Sequence, residues 1–206
     1  MKLDISKAYD WVKWPFLRGM MVRLRFTEEW INRVMSCVTT SFFSVHINGK
    51  PCGNIVPSKG LYQGDPLLSY LFLLCVERFT SLLSKAEVDG RLHSVNICRR
   101  VPSISNLLFA DDSLIFCLVN QKEVQVISDT LQLYAEASRQ CINFEKSSVY
   151  FSSNTLDRQK QWIKQALGVK EMDRFESYLG LLTLIGKEKY HTFVFLKEWV
   201  WKKLQG

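Results

Sequence analysis

Residues 106–117 read N-L-L-F-A-D-D-S-L-I-F-C, with two adjacent aspartates, Asp111 and Asp112, between apolar runs of strand-forming residues. The simplest geometry for that pattern is a β-hairpin with the carboxylates at or near its tip. Like charges so close repel, and the apolar flanks offer no compensating hydrogen bonds, so a bound divalent cation is the natural stabiliser. An ordinary Asp-Asp turn between two core strands is the alternative, since Asp is a common turn residue.

Outward from that stretch, 206 residues with 47% hydrophobic content suffice for one large domain, or one domain and part of another, with a real core. Lys+Arg 27 against Asp+Glu 20 leaves a net charge of +7, which favours a polyanionic partner such as nucleic acid. The six cysteines are scattered, with no C-x-x-C pair and no disulfide-framework spacing, and read as reduced core residues of an intracellular protein. The longest apolar run, residues 67–76, is too short to span a membrane and ends at Glu77-Arg78; Met1 does not open a signal peptide. A soluble, non-secreted protein is expected.

The chain opens on M-K-L-D-I-S-K-A-Y-D-W-V, where Leu3 and Ile5 alternate with Lys2 and Asp4 as in a short strand, leaving Asp4 at its end. Residues 14–26 carry Phe16, Leu17, Met20, Met21 and Leu24 at helical spacing, with Arg18, Arg23 and Arg25 towards the other side. Thr27 caps a second helix running to about Val38, with Glu28 and Glu29 in its first turn. Phe43, Val45 and Ile47 predict a half-buried strand, and Asn48-Gly49 a turn into a second strand over residues 54–56. His46, like His93 and His191, has no second ligand at metal-binding spacing and reads as a surface or strand-face histidine.

Residues 59–66, K-G-L-Y-Q-G-D-P, form a turn with Pro66 placed to open the next helix. That helix, residues 67–86, is apolar nearly all round through Cys75 and is expected to be buried centrally. The turn before it, with Lys59 and Gln63, offers N–H groups and polar side chains to a phosphate-bearing ligand, or simply caps a core helix. Further predictions are a strand over residues 95–98, an amphipathic helix over 122–139, and a strand over 146–151. A helix over 157–167 follows, with Asn154 or Thr155 near its cap and Gly168 past its end. A short strand or turn at 178–180 and a terminal helix over 190–204 complete the chain.

This order of elements indicates an α+β domain, an antiparallel sheet with helices packed on one face. Such a sheet can bring Asp4 and Asp111 side by side on neighbouring strands. Converging carboxylates at the end of a sheet can hold two Mg²⁺ ions about 3.5–4 Å apart, an arrangement that stabilises both the attacking and leaving oxygens of phosphoryl transfer.

Taken together, L-D-I-S-K-A-Y-D-W-V, G-L-Y-Q-G-D-P-L-L-S-Y-L-F and F-A-D-D-S-L-I-F resemble motifs A, B and C of reverse transcriptases, in that order. S-R-Q-C-I-N-F-E-K-S-S-V-Y-F-S resembles the motif D region, and Y-L-G-L-L-T-L-I-G-K the segment beyond it. The resemblance is to the non-LTR (LINE-type) retrotransposon enzymes common in plant genomes. It implies a polymerase palm over residues 1–151, with 152–206 as the end of the palm and the start of a connection or thumb. It implies that Asp4, Asp111 and Asp112 are the metal-binding carboxylates, for two Mg²⁺ ions or substituting Mn²⁺, with Asp4 and Asp111 the principal ligands.

By the same resemblance Tyr9 is the aromatic gate under the sugar, expected beside the acids and facing the nucleotide pocket, away from the core. Gln63, Gly64 and Ala110 line the nucleotide and template pocket, and Lys146 is the lysine that helps protonate the leaving pyrophosphate. Lys59, Arg99 and Arg100 are basic candidates for nucleic acid. The implied partners are an RNA template, a DNA primer and deoxynucleoside triphosphates, with no membrane, no specific protein partner and a nuclear site of action. The chain departs from the family pattern at Tyr62 (usually Arg), Leu68-Ser69 (Ser-Pro), Arg139 (Gly) and Leu182 (Pro). It also begins at motif A, so the fingers segments with their triphosphate-gripping basic residues, and an endonuclease, have no counterpart in it. Two functions therefore compete: an RNA-directed DNA polymerase, and a catalytically inactive palm remnant that binds nucleic acid non-specifically.

Overall fold

The computed structural model describes residues 1–62, 64–96, 102–109, 112–172 and 189–205. The first strand, β1 (Lys2–Ser6), buries Leu3 and Ile5 on one side and leaves Lys2 and Asp4 on the other. Helix α1 (Trp14–Arg23) opens with Pro15 in its first turn and buries Leu17, Met20 and Met21. In α2 (Glu28–Thr39) the Thr27 hydroxyl accepts the Trp30 N–H at 3.4 Å, and Glu28 and Glu29 sit at the positive end of the helix dipole.

The hairpin of β2 (Phe43–Ile47) and β3 (Lys50–Ile55) forms where its turn signal lies, with Asn48 and Gly49 at φ 50° and 77°. The second strand begins at the turn, earlier than expected. The predicted half-burial is corrected: every residue of both strands is exposed, because the pair forms its own two-stranded sheet. Its one described ring contact is Phe43 on Tyr62, centroids 4.2 Å apart.

Helix α3 runs Leu68–Val88, and Pro66 lies in the turn before it, not at its first position. Asp65 shapes that turn, its carboxylate accepting the Leu67 N–H at 2.8 Å. The helix is not buried all round. Leu71, Phe72, Cys75, Val76, Phe79, Leu83 and Ala86 face the core, whereas Tyr70 is 69% and Leu73 52% exposed.

Strands β4 (Asn106–Phe109) and β5 (Asp112–Ile115) form the expected hairpin, with Phe109 opposite Asp112. Helix α4 (Gln121–Ser138) follows, capped by Asn120, which accepts the Glu123 N–H at 2.9 Å. Beyond it come β6 (Cys141–Ile142), β7 (Ser148–Val149), α5 (Asp157–Leu167), β8 (Lys170–Glu171) and α6 (Lys189–Gln205). The strand expected over 146–151 is cut to two residues. The one over 95–98 appears only as a bridge between Val95 and Ile104, its remainder lying outside the described residues. The N-cap of α5 is Leu156, with no side-chain acceptor; Gln159 accepts the Leu156 N–H at 3.3 Å instead. Gly168 ends α5 at φ 64°, as its position implied. The turn at 178–180 and Leu182 lie outside the described residues.

The main sheet has the order β4-β5-β1-β7-β8, with β6 also on β1 and only the β7–β8 pair parallel. Leu3, Ile5 and Ile115 pack from its covered face onto Phe72, Phe79 and Leu83 of α3 and Ile127, Leu131 and Tyr134 of α4. A second cluster, Val124, Val149, Ile163, Leu167 and Val169, seats α5 against the same body. Among the described residues the cysteines are free, but Cys37, Cys52 and Cys141 are exposed and only Cys75 is fully buried in the core, its thiol pushed up to about 12 by burial. Cys98 lies outside the described residues.

Two buried polar groups tie helices to loops. Glu123 is 2% exposed, and burial alone would raise its pKa. The Leu118 N–H at 2.9 Å, the Asn120 amide at 3.0 Å, and the His93 ring and N–H at 2.8 and 3.3 Å instead hold its carboxyl below the usual range. His93 is therefore a surface histidine with a fixed partner. Gln140, 2% exposed, accepts from the Tyr134 hydroxyl and donates to the Ala8 carbonyl at 2.6 Å. The Tyr134 hydroxyl is held well above its ordinary pKa by burial.

Candidate active site

Asp4 lies directly opposite Asp112 in the antiparallel β1–β5 register, flanked by Leu3 with Ser113 and Lys2 with Leu114. Directly opposed residues point to the same face with Cβ atoms about 4.5–5.5 Å apart. The two carboxylates therefore share the face of the sheet opposite the helices, and both are half-exposed. The Lys2 ammonium, on the same face, stands 3.6 Å from Asp112. So exposed a pair contributes about 0–1 kcal/mol, and it leaves Asp4 without a cation of its own among the described residues.

The backbone of Asp4 is pinned from the far side. Its N–H donates to the buried Ser147 hydroxyl at 3.0 Å, and its carbonyl accepts the Asn143 N–H at 2.9 Å. Residues 143–147 are thus laced to β1. Lys146 rides on this loop with an exposed side chain, its N–H on the Asn143 side chain at 3.2 Å.

Residues 7–12 are stitched to the turn before α3. The Leu61 N–H meets the Tyr9 carbonyl at 3.0 Å, the Gly60 N–H the Val12 carbonyl at 2.8 Å, and the Trp14 indole the Gly60 carbonyl at 2.9 Å. Gly60 has φ +93°, and a Cβ there would lie 2.8 Å from the Asp10 carbonyl oxygen, so only glycine permits the close approach. Tyr9 is half-buried with its ring centroid 4.5 Å from that of Phe72. The expectation that its ring avoids the core is corrected, since one side packs on α3. Lys59 holds its ammonium 3.3 Å above the Trp11 ring. Gly64 is exposed at φ +102°. The Tyr62 hydroxyl is buried with no hydrogen-bond partner among the described residues, and desolvation raises its pKa.

Of the residues singled out from sequence, Asp111, Gln63, Ala110, Arg99 and Arg100 lie outside the described residues. Asp4 and Asp112 are brought together; Tyr9 is bonded to the 59–61 turn that carries Lys59, Gly64 is exposed beyond it, and Lys146 follows the loop that holds Asp4. Sequence reasoning missed Lys2, Ser147 and Gln140. The signal for Lys2 was available, since period-two alternation puts it on the Asp4 face. Ser147 and Gln140 act across 143 and 132 residues of sequence, which no local pattern reveals.

Carboxylate oxygens are hard donors of the kind Mg²⁺ accepts, and such sites often use one or two carboxylates, completed by substrate phosphates and water. Asp4 and Asp112 fit that chemistry. Among the described residues no group of three or more His, Cys, Asp or Glu gathers as a metal site.

An antiparallel sheet backed by helices on one face, with two acids opposed on its open face, is an α+β fold of the palm type. The family model that matches is reverse transcriptase (RNA-dependent DNA polymerase), over residues 1–182, and the chain belongs to that family. It is 25% identical over 194 residues to a retrovirus-related Pol polyprotein from the type-1 retrotransposable element R2 of Popillia japonica, covering 88% of this chain and 30% of that one. It is 29% identical over 150 residues to an uncharacterized 149 kDa protein of transposon TX1 from Xenopus laevis, covering 72% and 11%. Over 67 residues it is 49% identical to an uncharacterized mitochondrial protein of Arabidopsis thaliana, covering 32% and 55%. The chain thus spans between a tenth and just over half of the length of these relatives. No described helix is long and apolar enough to cross a membrane.

Proposed function

We propose that this chain is the palm of a non-LTR retrotransposon reverse transcriptase, over residues 1–151 with 152–206 leading out of it, and that Asp4, Asp111 and Asp112 form its catalytic acid cluster. The observation that carries this is Asp4 facing Asp112 across the β1–β5 ladder, on the sheet face away from the helices. Divalent ions bound there would stabilise charge on the attacking primer hydroxyl and on the leaving pyrophosphate. Ser147 and Asn143 fix the backbone that aims Asp4. Lys2 offsets part of the charge on Asp112, which lowers the repulsion between the acids. Tyr9, anchored on Phe72 and on the 59–61 turn, is placed to limit the space under the incoming sugar. Lys146, on the loop that holds Asp4, is the proton donor to pyrophosphate, and Gln63, Gly64 and Ala110 line the nucleotide and template pocket. The substrates are an RNA template, a DNA primer and deoxynucleoside triphosphates.

A second reading, a palm that binds nucleic acid without chemistry, is favoured by Tyr62. It stands where the family usually has Arg, and its buried hydroxyl has no partner among the described residues. Primer extension on an RNA template with Mg²⁺ or Mn²⁺, with Asp4→Ala, Asp111→Ala and Asp112→Ala as controls, separates the two. Extension abolished by the Asp variants establishes the first reading. Salt-sensitive binding with no extension establishes the second.

A further inference from the structure

Two grooves meet at the far end of the sheet from the acid pair. Strand β5 runs away from Asp112, and residues 116–120 then turn into α4. One groove, about 730 Å³, is lined by Gly90, Arg91, His93, Lys122 and Glu123; the other, about 440 Å³, by Leu156, Arg158, Trp162 and Ile163. Both include Asn120 and Gln121 in their walls, so the two grooves border the same two residues at the start of α4.

The charges lining the two grooves are unevenly committed. Arg91 is engaged by Asp89 at 3.0 Å, and His93 is held through Nδ1 by the buried Glu123. Asp157 pairs with Lys160 at 3.6 Å. Lys122 and Arg158, one in each groove, have no ion pair among the described residues, and Gln121 between them has no side-chain hydrogen bond. Trp162 is 38% exposed in the same wall as Arg158. Two cations without an ion pair among the described residues, in grooves that share Gln121, with an indole in the same wall as Arg158, offer the groups that a nucleic-acid strand engages. Phosphates suit the cations and a base suits the indole, where stacking tolerates any sequence. A duplex keeps its bases stacked inside and cannot offer one to Trp162.

We infer that these two grooves form a second contact site for single-stranded nucleic acid, with Lys122 and Arg158 on phosphates and Trp162 under a base. It goes beyond the proposed function and does not need the acid pair to be active. The test is fluorescence anisotropy of a labelled 12-nucleotide single-stranded RNA against the full chain, over a salt series, with circular dichroism confirming the fold of each variant. Lys122→Glu/Arg158→Glu and, separately, Trp162→Ala are each expected to weaken binding roughly tenfold. Arg23→Glu/Lys50→Glu, an equal charge change elsewhere on the exposed surface, is expected to change it less than threefold.

Groove variants that bind within twofold of the parent, or a control pair that loses as much as Lys122→Glu/Arg158→Glu, would overturn the assignment. Inorganic polyphosphate competing as well as RNA of equal charge would overturn the nucleic-acid part of it. Asp4→Asn/Asp112→Asn reports on the other face through Mn²⁺ binding. Loss of metal with RNA affinity intact leaves this inference standing whatever becomes of the polymerase reading.

Discussion

Arg139→Gly should stabilise the protein. Arg139 terminates α4 in the left-handed region, at φ 60° and ψ 17°, with its N–H on the Ala135 carbonyl at 2.8 Å. A residue with a Cβ in that conformation costs about 1–2 kcal/mol, a cost glycine avoids. Glycine gives back about 0.5–1 kcal/mol through the greater freedom of the unfolded chain. The Arg139 side chain is exposed and has no ion pair among the described residues, so removing it loses nothing that offsets the gain. The net expectation is a gain of about 0.5–1 kcal/mol, or a melting temperature higher by about 1–4 °C for a domain of this size. Thermal melts by far-UV circular dichroism and urea titrations would read it, with Arg139→Ala beside it to remove the side chain and keep the Cβ. Equal shifts in the two variants, or a loss in Arg139→Gly, would refute the idea that backbone strain at this helix end limits stability.

Glu123→Gln should cost about 1.5–3 kcal/mol, because a buried carboxylate accepting several hydrogen bonds becomes an amide that cannot accept them all. The pH dependence follows from the lowered Glu123 pKa: its contribution is complete above the ordinary value of 4.5 and is lost as pH falls through the folded value. Denaturant titrations between pH 7 and 3 should therefore show a steeper acid loss in the parent than in Glu123→Gln. Gly60→Ala should destabilise by about 1–3 kcal/mol from its φ alone, with the contact to Asp10 adding to that, measured by urea titration. Tyr62→Phe should raise stability by about 1 kcal/mol in the same assay, since it deletes a buried hydroxyl with no partner among the described residues and keeps the ring on Phe43.

The parts of the fold written in local pattern were legible in the sequence. Alternation in Lys2–Ser6, the Thr27 cap, the Asn48-Gly49 turn and the Gly168 stop each act within a few residues, and each forms where expected. Burial was less legible. An apolar run says that a side chain would gain by leaving water, not that anything stands ready to cover it. Tyr70, Leu73, Val45 and Ile47 were therefore expected to be buried and are exposed. The acid pair was half-legible: the motif order placed Asp4 near the hairpin acids, but the register that sets it against Asp112 depends on strand pairing across more than a hundred residues. The supports of the site, Ser147 for Asp4 and Gln140 for the loop carrying Tyr9, are single residues acting at long range, and nothing beside them in sequence marks them out.

The position of β1 in the middle of the sheet bears on how the chain is made. Its neighbours leave the ribosome much later: β5 pairs with it across more than a hundred residues, and Ser147 bonds Asp4 across 143. At about 5–20 residues per second, translation as far as β5 takes roughly 5–22 s. Throughout it Leu3 and Ile5 have no native partner strand and are free to engage a chaperone, a membrane surface or the first strand of a neighbouring nascent chain. Slower elongation lengthens that exposure, so yield of folded protein should depend on translation speed and temperature more steeply than its final stability suggests.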